Sequence, residues 1–267
     1  PFMPGSRGET ENFVLYSCDT DGFDYRAKVY EAWYYFDADN LRYRYVVDGR
    51  SIEFTLHAIE CGAFTITDMH MLGYHGCELY YASTGINITI IYGIGGIKER
   101  ITIHNPVPQF KLIYTVEKGD LYYYVENEQS TEFTTTGNIT IGDGAVIFKL
   151  KAAHVYDTTM DGNITIENNG SACMYMVYGD HLTLVVPASF LQDARFPVIV
   201  DPSFTSPITE DMFINHETID QYSDLVIASG RTVITNTEII MHCDYNRQYS
   251  IKVLSGAELV LYNTTIR

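Results

Sequence analysis

The stretch Phe190-Leu191-Gln192-Asp193-Ala194-Arg195-Phe196-Pro197-Val198-Ile199-Val200-Asp201-Pro202-Ser203 decides how the 267 residues divide. Four of the eight prolines (Pro187, Pro197, Pro202 and Pro207) fall in or beside it. Proline offers no backbone N–H, so strand ladders stop where it clusters. Phe196 to Val200 reads as a last strand, and Asp201 before Pro202 is held extended as the chain leaves it. Before this stretch the chain shows short alternating segments without a period, and after it the chain repeats. The expected fold is therefore all-β, with one or two antiparallel β-sandwich modules followed by the first coils of a right-handed parallel β-helix.

The upstream part is read from alternation and turns. Residues 1–11 lack periodicity and read as an extended N-terminal arm. Arg26 to Phe36 alternates as a single strand, and Leu41 to Asp48 follows with Arg42-Tyr43-Arg44-Tyr45-Val46-Val47. Asp48-Gly49 is a hairpin turn signal, with Ser51 to Ala58 returning from it. Turn signals then recur roughly every eight to twelve residues, the spacing of antiparallel sandwiches. Only Ala188–Ala194 suits a helix. Residues 12–203 form the sandwich region, expected as two modules dividing between residues 58 and 85, and residues 204–267 begin the β-helix.

The repeat carries that last expectation. Leu225-Val226-Ile227-Ala228-Ser229-Gly230-Arg231-Thr232-Val233-Ile234-Thr235-Asn236 recurs from Ile251 through Ser255-Gly256 to Asn263. Each copy reads as strand, Ser-Gly corner, strand, Asn corner, strand. Asparagine suits such corners because it tolerates left-handed backbone angles. The pattern resembles the coils of a parallel β-helix in the form common in archaeal surface proteins. Two coils are fewer than the three or so that repeat architectures need. The chain stops at Arg267 just after a strand, so either more coils or another subunit is expected there. A start at Pro1 without Met reads as a processed, trimmed or partial chain.

The boundary stretch also carries a resemblance. Its L-x-x-A-x-[YF]-P-V-x-[IV]-D-P-[ST] pattern resembles the close of a β-sandwich module found in large secreted and cell-surface prokaryotic proteins. These include bacterial Rhs-type proteins and archaeal surface proteins. Gly95-Gly96-Ile97-Lys98-Glu99-Arg100-Ile101-Thr102-Ile103 resembles a G-[IV]-K-E-x-[IV] strand of that module, and the likeness spans roughly residues 80 to 203. It implies a surface building block and supplies no catalytic residue. Lys98-Glu99 itself reads as a cross-strand charge pair on a solvated face.

Composition narrows the partners. The formal charge is -17, which disfavours a phosphate-binding stripe and repels anionic membranes. An apolar fraction of 46% with 22 tyrosines is that of a folding chain and excludes disorder. No apolar run reaches the roughly 18 residues of a membrane helix. Five Asn-x-Ser/Thr sequons occur, at Asn87, Asn138, Asn163, Asn169 and Asn263. Chance in a threonine-rich β-protein is one reading. Their number favours N-glycosylation, and with it an extracellular or cell-surface location.

The remaining candidates concern cysteines, metals and aromatic rings. Cys18, Cys61, Cys77 and Cys173 are disulfide candidates or small buried hydrophobes, and Cys243 makes the count odd. Asp19, Asp21 and Asp24 surround Gly22 as a possible calcium loop or an acidic surface turn. His70, His75 and Cys77 are a weaker zinc set, with no recognised structural spacing. No other cofactor is implied. Tyr34-Tyr35, Tyr80-Tyr81 and Tyr122-Tyr123-Tyr124 are each expected to send one ring into the core. Neither a G-x-S-x-G elbow, nor H-E-x-x-H, nor a phosphate-binding loop is present.

The expected function is a non-enzymatic, N-glycosylated structural protein: a surface-layer, sheath, filament or adhesin subunit. Exposed β edges would join it to copies of itself or to other surface proteins. The alternatives are the non-catalytic N-terminal part of a larger carbohydrate-active enzyme or toxin-like surface protein, and a carbohydrate-binding module using exposed tyrosines.

Overall fold

A computed structural model describes residues 14–29, 32–75, 77–93, 96–144, 146–161, 164–205, 212–215, 218–221, 224–228, 230–241 and 249–267. The N-terminal arm at residues 1–11 lies outside them, as do Asn163 and Cys243.

The protein is all-β, and its two large sheets are antiparallel. The first begins with a meander: Val14–Thr20, Phe23–Val29, Ala32–Asp37, Arg42–Val47 and Arg50–Glu60. It continues through Phe110–Glu117, His181–Val186 and Met174–Tyr178 to Glu132–Thr135. The second sheet is centred on Gly96–Ile103. One side of that strand pairs with Ile86–Gly93, and Val198–Asp201 and Ser203–Thr205 also pair with it. Both sheets are open rather than closed.

Alternating side chains make the core. Tyr43 and Tyr45 are buried while Arg42 and Arg44 stand on the other face, as the two-residue period of a strand requires. Rings meet between the sheets: Tyr34 lies 5.6 Å from Tyr92, and Tyr45 lies 5.7 Å from Phe148. Offset and tilted ring pairs of this kind add to what their buried area contributes. The Tyr34 hydroxyl donates to the Gly93 carbonyl of the facing sheet.

Several expectations change here. Arg26 to Phe36 is a hairpin of Phe23–Val29 with Ala32–Asp37, not one strand. The division sought between residues 58 and 85 is a change of sheet, because Thr65–Ile66 still pairs with Arg50–Glu60 while His70–His75 pairs with Glu78–Ser83. Residues on both sides of it share one core cluster. The antiparallel pairing runs on to Thr205. Asp48-Gly49 is the expected turn, with φ of 50° and 70°, the double left-handed pair that suits strand twist. Among the described residues the one helix is Ala188–Asp193.

Beyond residue 205 the pairing becomes parallel. Met212–Asn215, Arg231–Thr235 and Glu258–Tyr262 form one three-stranded sheet, and Thr218–Gln221, Glu238–Met241 and Thr265–Ile266 form another. Leu225–Ile227 pairs with Ile251–Val253. Among the described residues the rungs number three where the sequence suggested two copies. Thr232 faces Met212 and Leu259, so successive steps are 20 and 27 residues. The unequal first step concealed the first rung.

The corners use the residues expected of them. Gly230 and Gly256 have φ of 72° and 89°, and Asn236 and Asn263 both have φ of 48°. The stacked asparagines are joined, with Asn263 Nδ2 donating to Asn236 Oδ1 at 2.8 Å. Replacing Asn236 by valine introduces a β-branched residue at a left-handed φ and removes this acceptor. The expected loss is about 1–3 kcal/mol in chemical denaturation. Asn236→Gly, which meets no φ penalty, should lose only the hydrogen-bond part.

Candidate functional site

The most unusual chemistry lies on the Gly96–Ile103 strand. Its even positions leave the core, and there Lys98 is only 1% exposed. Lys98 Nζ lies 3.1 Å from Asp201 Oδ2, whose side chain is likewise buried. Asp201 follows Val200, which faces Ile101, so Lys98 and Asp201 are near-diagonal neighbours across the strand pair. The solvated charge pair expected at Lys98-Glu99 is thus corrected. The two side chains leave opposite faces of the strand, and both are buried.

What covers Lys98 comes from the parallel rungs. The Tyr249 ring lies 5.1 Å from Lys98 Nζ and 5.3 Å from Lys151 Nζ, within cation–π range. Residues 242–250 join the second parallel sheet to Ile251–Val253, whereas residues 222–224 make the equivalent link one rung earlier.

Asp224 anchors the same junction. Its Oδ2 accepts from Lys151 Nζ at 2.8 Å and Lys252 Nζ at 2.6 Å. Its Oδ1 accepts from the Ser250 backbone N–H at 2.8 Å and the Ser250 hydroxyl at 3.0 Å. Burial alone would raise this carboxyl, but the bonds and charges of Lys151 and Lys252 outweigh it and hold it at about 2. Burial lowers Lys151, with Asp224 opposing the shift.

Glu99 points the other way, into the space between the large sheets. Tyr114 donates to its Oε2 at 2.7 Å, while Oε1 has no hydrogen-bond partner among the described residues. Burial pushes the carboxyl up to about 7, against the opposing pull of the Tyr114 and Tyr43 hydroxyls. Proton sharing in a dry tyrosine pocket follows from the cost of burying a lone carboxylate.

A cleft of about 410 Å³ opens beside the turn joining Ala32–Asp37 to Arg42–Val47, with Asp37, Glu53, His57 and Glu117 among its walls. Its two buried acids are already engaged. Asp37 accepts from the Asp39 and Asn40 backbone N–H groups, and Glu53 Oε2 takes both Arg44 Nε and Nη2 at 2.9 Å. These carboxylates brace a turn and a strand face.

The other sequence candidates are placed as follows. Asp21 and Gly22 form a hairpin turn with φ of 55° and 75°. Asp21 pairs with Arg44 at 3.0 Å, and Asp24 accepts from the Ala38 N–H at 2.9 Å. The Asp19 side chain lies outside the described residues. His70 is exposed and pairs with Asp68 at 3.2 Å, and His75 is also exposed. No cluster of three metal-ligating side chains occurs among the described residues. Cys18, Cys61 and Cys173 carry free thiols, so no disulfide joins any two of the four candidates, and Cys77 is half-buried. Burial pushes Cys61 up to about 11 and Cys173 up to about 12, the latter helped by Asp201. Asn87, Asn138, Asn169 and Asn263 are all exposed. In each tyrosine set one ring is buried, namely Tyr34, Tyr81 and Tyr123.

The last parallel rung is a second feature that sequence reading missed. Ile214 faces Ile234, which faces Leu261, and their exposures run 2%, 0% and 41%. Ile219, Ile239 and Ile266 form another column, at 0%, 0% and 45%. Ile227 at 0% faces Val253 at 45%. Val253, Leu261 and Ile266 therefore form a partly exposed aliphatic set at one level.

No protein-family model matches the chain, and no curated protein or solved structure does so either. No described helix is long and apolar enough to cross a membrane.

Two substitutions test the buried charges. The folded protein holds a proton on Glu99 up to about pH 7, whereas an ordinary carboxyl releases it near 4.5. This group should therefore remove stability as pH rises from 4.5 to 7, by about 3 kcal/mol in all, and nothing further above that. Glu99→Gln should abolish this slope in pH-dependent unfolding and be the more stable protein above pH 7. Asp224→Asn leaves two lysines facing a neutral group, and should cost about 2–3 kcal/mol in denaturant unfolding at pH 7. The Asp224 contribution should disappear as pH falls from 3.8 through about 2, the direction set by a depressed carboxylate.

Proposed function

We propose that this chain is an extracellular structural protein, a subunit of a surface layer, sheath, filament or adhesin, that assembles through exposed β edges. Residues 204–267 are, in this reading, the first coils of a right-handed parallel β-helix. The observation that carries it is the set of aliphatic columns ending at Val253, Leu261 and Ile266, which are 41–45% exposed while their counterparts in the preceding rung are fully buried. An uncovered apolar cross-section beside unpaired strand edges favours one more parallel rung. In an assembly, copies would pack through this partly exposed apolar face.

Three further observations support the reading. The net charge of -17 keeps the remaining surface self-repelling, so contact is limited to chosen edges. The sequon asparagines Asn87, Asn138, Asn169 and Asn263 are exposed, as glycan attachment at a cell surface requires. The resemblance of the boundary motif to modules of prokaryotic surface proteins points to the same setting. Buried acids such as Asp37 and Glu53 have structural partners, which supports a non-catalytic role.

Electron microscopy of the native material, with glycopeptide mass spectrometry on the same sample, tests this. Ordered filaments, sheets or tubes with hexose on the sequon peptides are the expected result. Dispersed particles without glycan would sink the proposal. Charge substitution at the open columns (Leu261→Lys with Ile266→Lys) should disperse the assemblies while leaving the fold intact, because both residues are exposed.

A further inference from the structure

We propose that Lys98 and Asp201 condense into an amide, an intramolecular isopeptide bond that joins the Gly96–Ile103 strand to the Val198–Asp201 strand. This goes beyond the assembly reading and does not depend on it. The first support is contact. Lys98 Nζ lies 3.1 Å from Asp201 Oδ2, against the carboxyl group whose carbon it must attack. An ion-pair contact of this length sets the amine directly against the carboxyl group with which it condenses.

The second support is fixation. Ile101 faces Val200 and Lys98 faces Ser203, so backbone pairing on both sides of Asp201 holds the two side chains together. The Tyr249 ring, 5.1 Å from Nζ, closes the site from outside. Well-oriented intramolecular pairs reach effective concentrations on the order of 10⁵ M or more.

The third is dryness. The side chains of Lys98 and Asp201 are 1% and 4% exposed. Burying an ion pair penalises both charges, and condensation replaces two charges with one neutral amide. Hydrolysis would need water inside the same closed site.

The step balances without a further reactant. Within the contact pair the ammonium passes one proton to the carboxylate, giving a neutral amine and a carboxylic acid. The Nζ lone pair adds to Cγ of Asp201. The Cγ–OH bond then breaks as that oxygen takes up a proton from Nζ, and one water leaves. A C–N bond has formed, a C–O bond has broken, and nothing is oxidised or reduced. The product ties residue 98 to residue 201 on the last antiparallel pairing before the parallel rungs, so tension along the chain would bypass every strand between them.

Peptide mapping of the purified full chain by tandem mass spectrometry decides the matter. The expected product is a branched tryptic peptide joining the Lys98 and Asp201 segments, lighter than their sum by one water and uncut after Lys98. Lys98→Arg should give only linear peptides of full mass. A wild-type map with Lys98 cleaved by trypsin and the Asp201 peptide at full mass would overturn the proposal, with no need for the variant to fold.

Discussion

A lysine ammonium that water cannot reach must be paired, because an isolated buried charge costs far more than a folded domain can offset. Lys98 is such a group, and the architecture around it follows from that constraint. Asp201 neutralises it across the strand pair, and Tyr249 closes over it from the parallel rungs. Lys151 and Lys252, from different parts of the chain, meet on Asp224 next to it. The outer face of a central strand can be polar and dry only because something covers it. The antiparallel sheets and the parallel rungs are therefore coupled through charge as well as through apolar contact.

The opposite face of the same strand is governed by a different balance. Glu99 has a tyrosine hydroxyl on one oxygen and no compensating cation, so desolvation dominates and the carboxyl keeps its proton near neutrality. Tyrosines suit this interior because a ring fills the space between sheets while its hydroxyl satisfies a polar neighbour. Tyr34 on the Gly93 carbonyl and Tyr175 on the Lys151 carbonyl are two further cases.

The parallel rungs show how repetition resolves and recreates the same problem. Each rung buries its aliphatic side chains on the one before, and the corner asparagines satisfy each other. The last described rung exposes the next set of aliphatics. That partly exposed aliphatic set is the surface on which the proposed assembly rests. The strong acidity of the chain limits which surfaces can meet.

Much of this was legible from the residues alone. Strand alternation, the Asp48-Gly49 turn, the short helix after Pro187 and the change of pattern near Pro202 are local, because φ preferences and a period of two act over a few residues. The Ser-Gly and Asn corners were equally local, since left-handed angles select those residue types. Nothing local separates Lys98 from Glu99, however. Both stand in an alternating strand and both look solvated, and only the arrival of distant segments buries each. The first parallel rung was likewise hidden, because its step to the next is 20 residues where the later one is 27. Pairing by backbone hydrogen bonds tolerates a longer connecting loop that a sequence period does not. The order of strands, the shared core across residues 58–85 and the stacking of the aliphatic columns are all relations between segments far apart in the chain. They were decided by packing and desolvation in three dimensions.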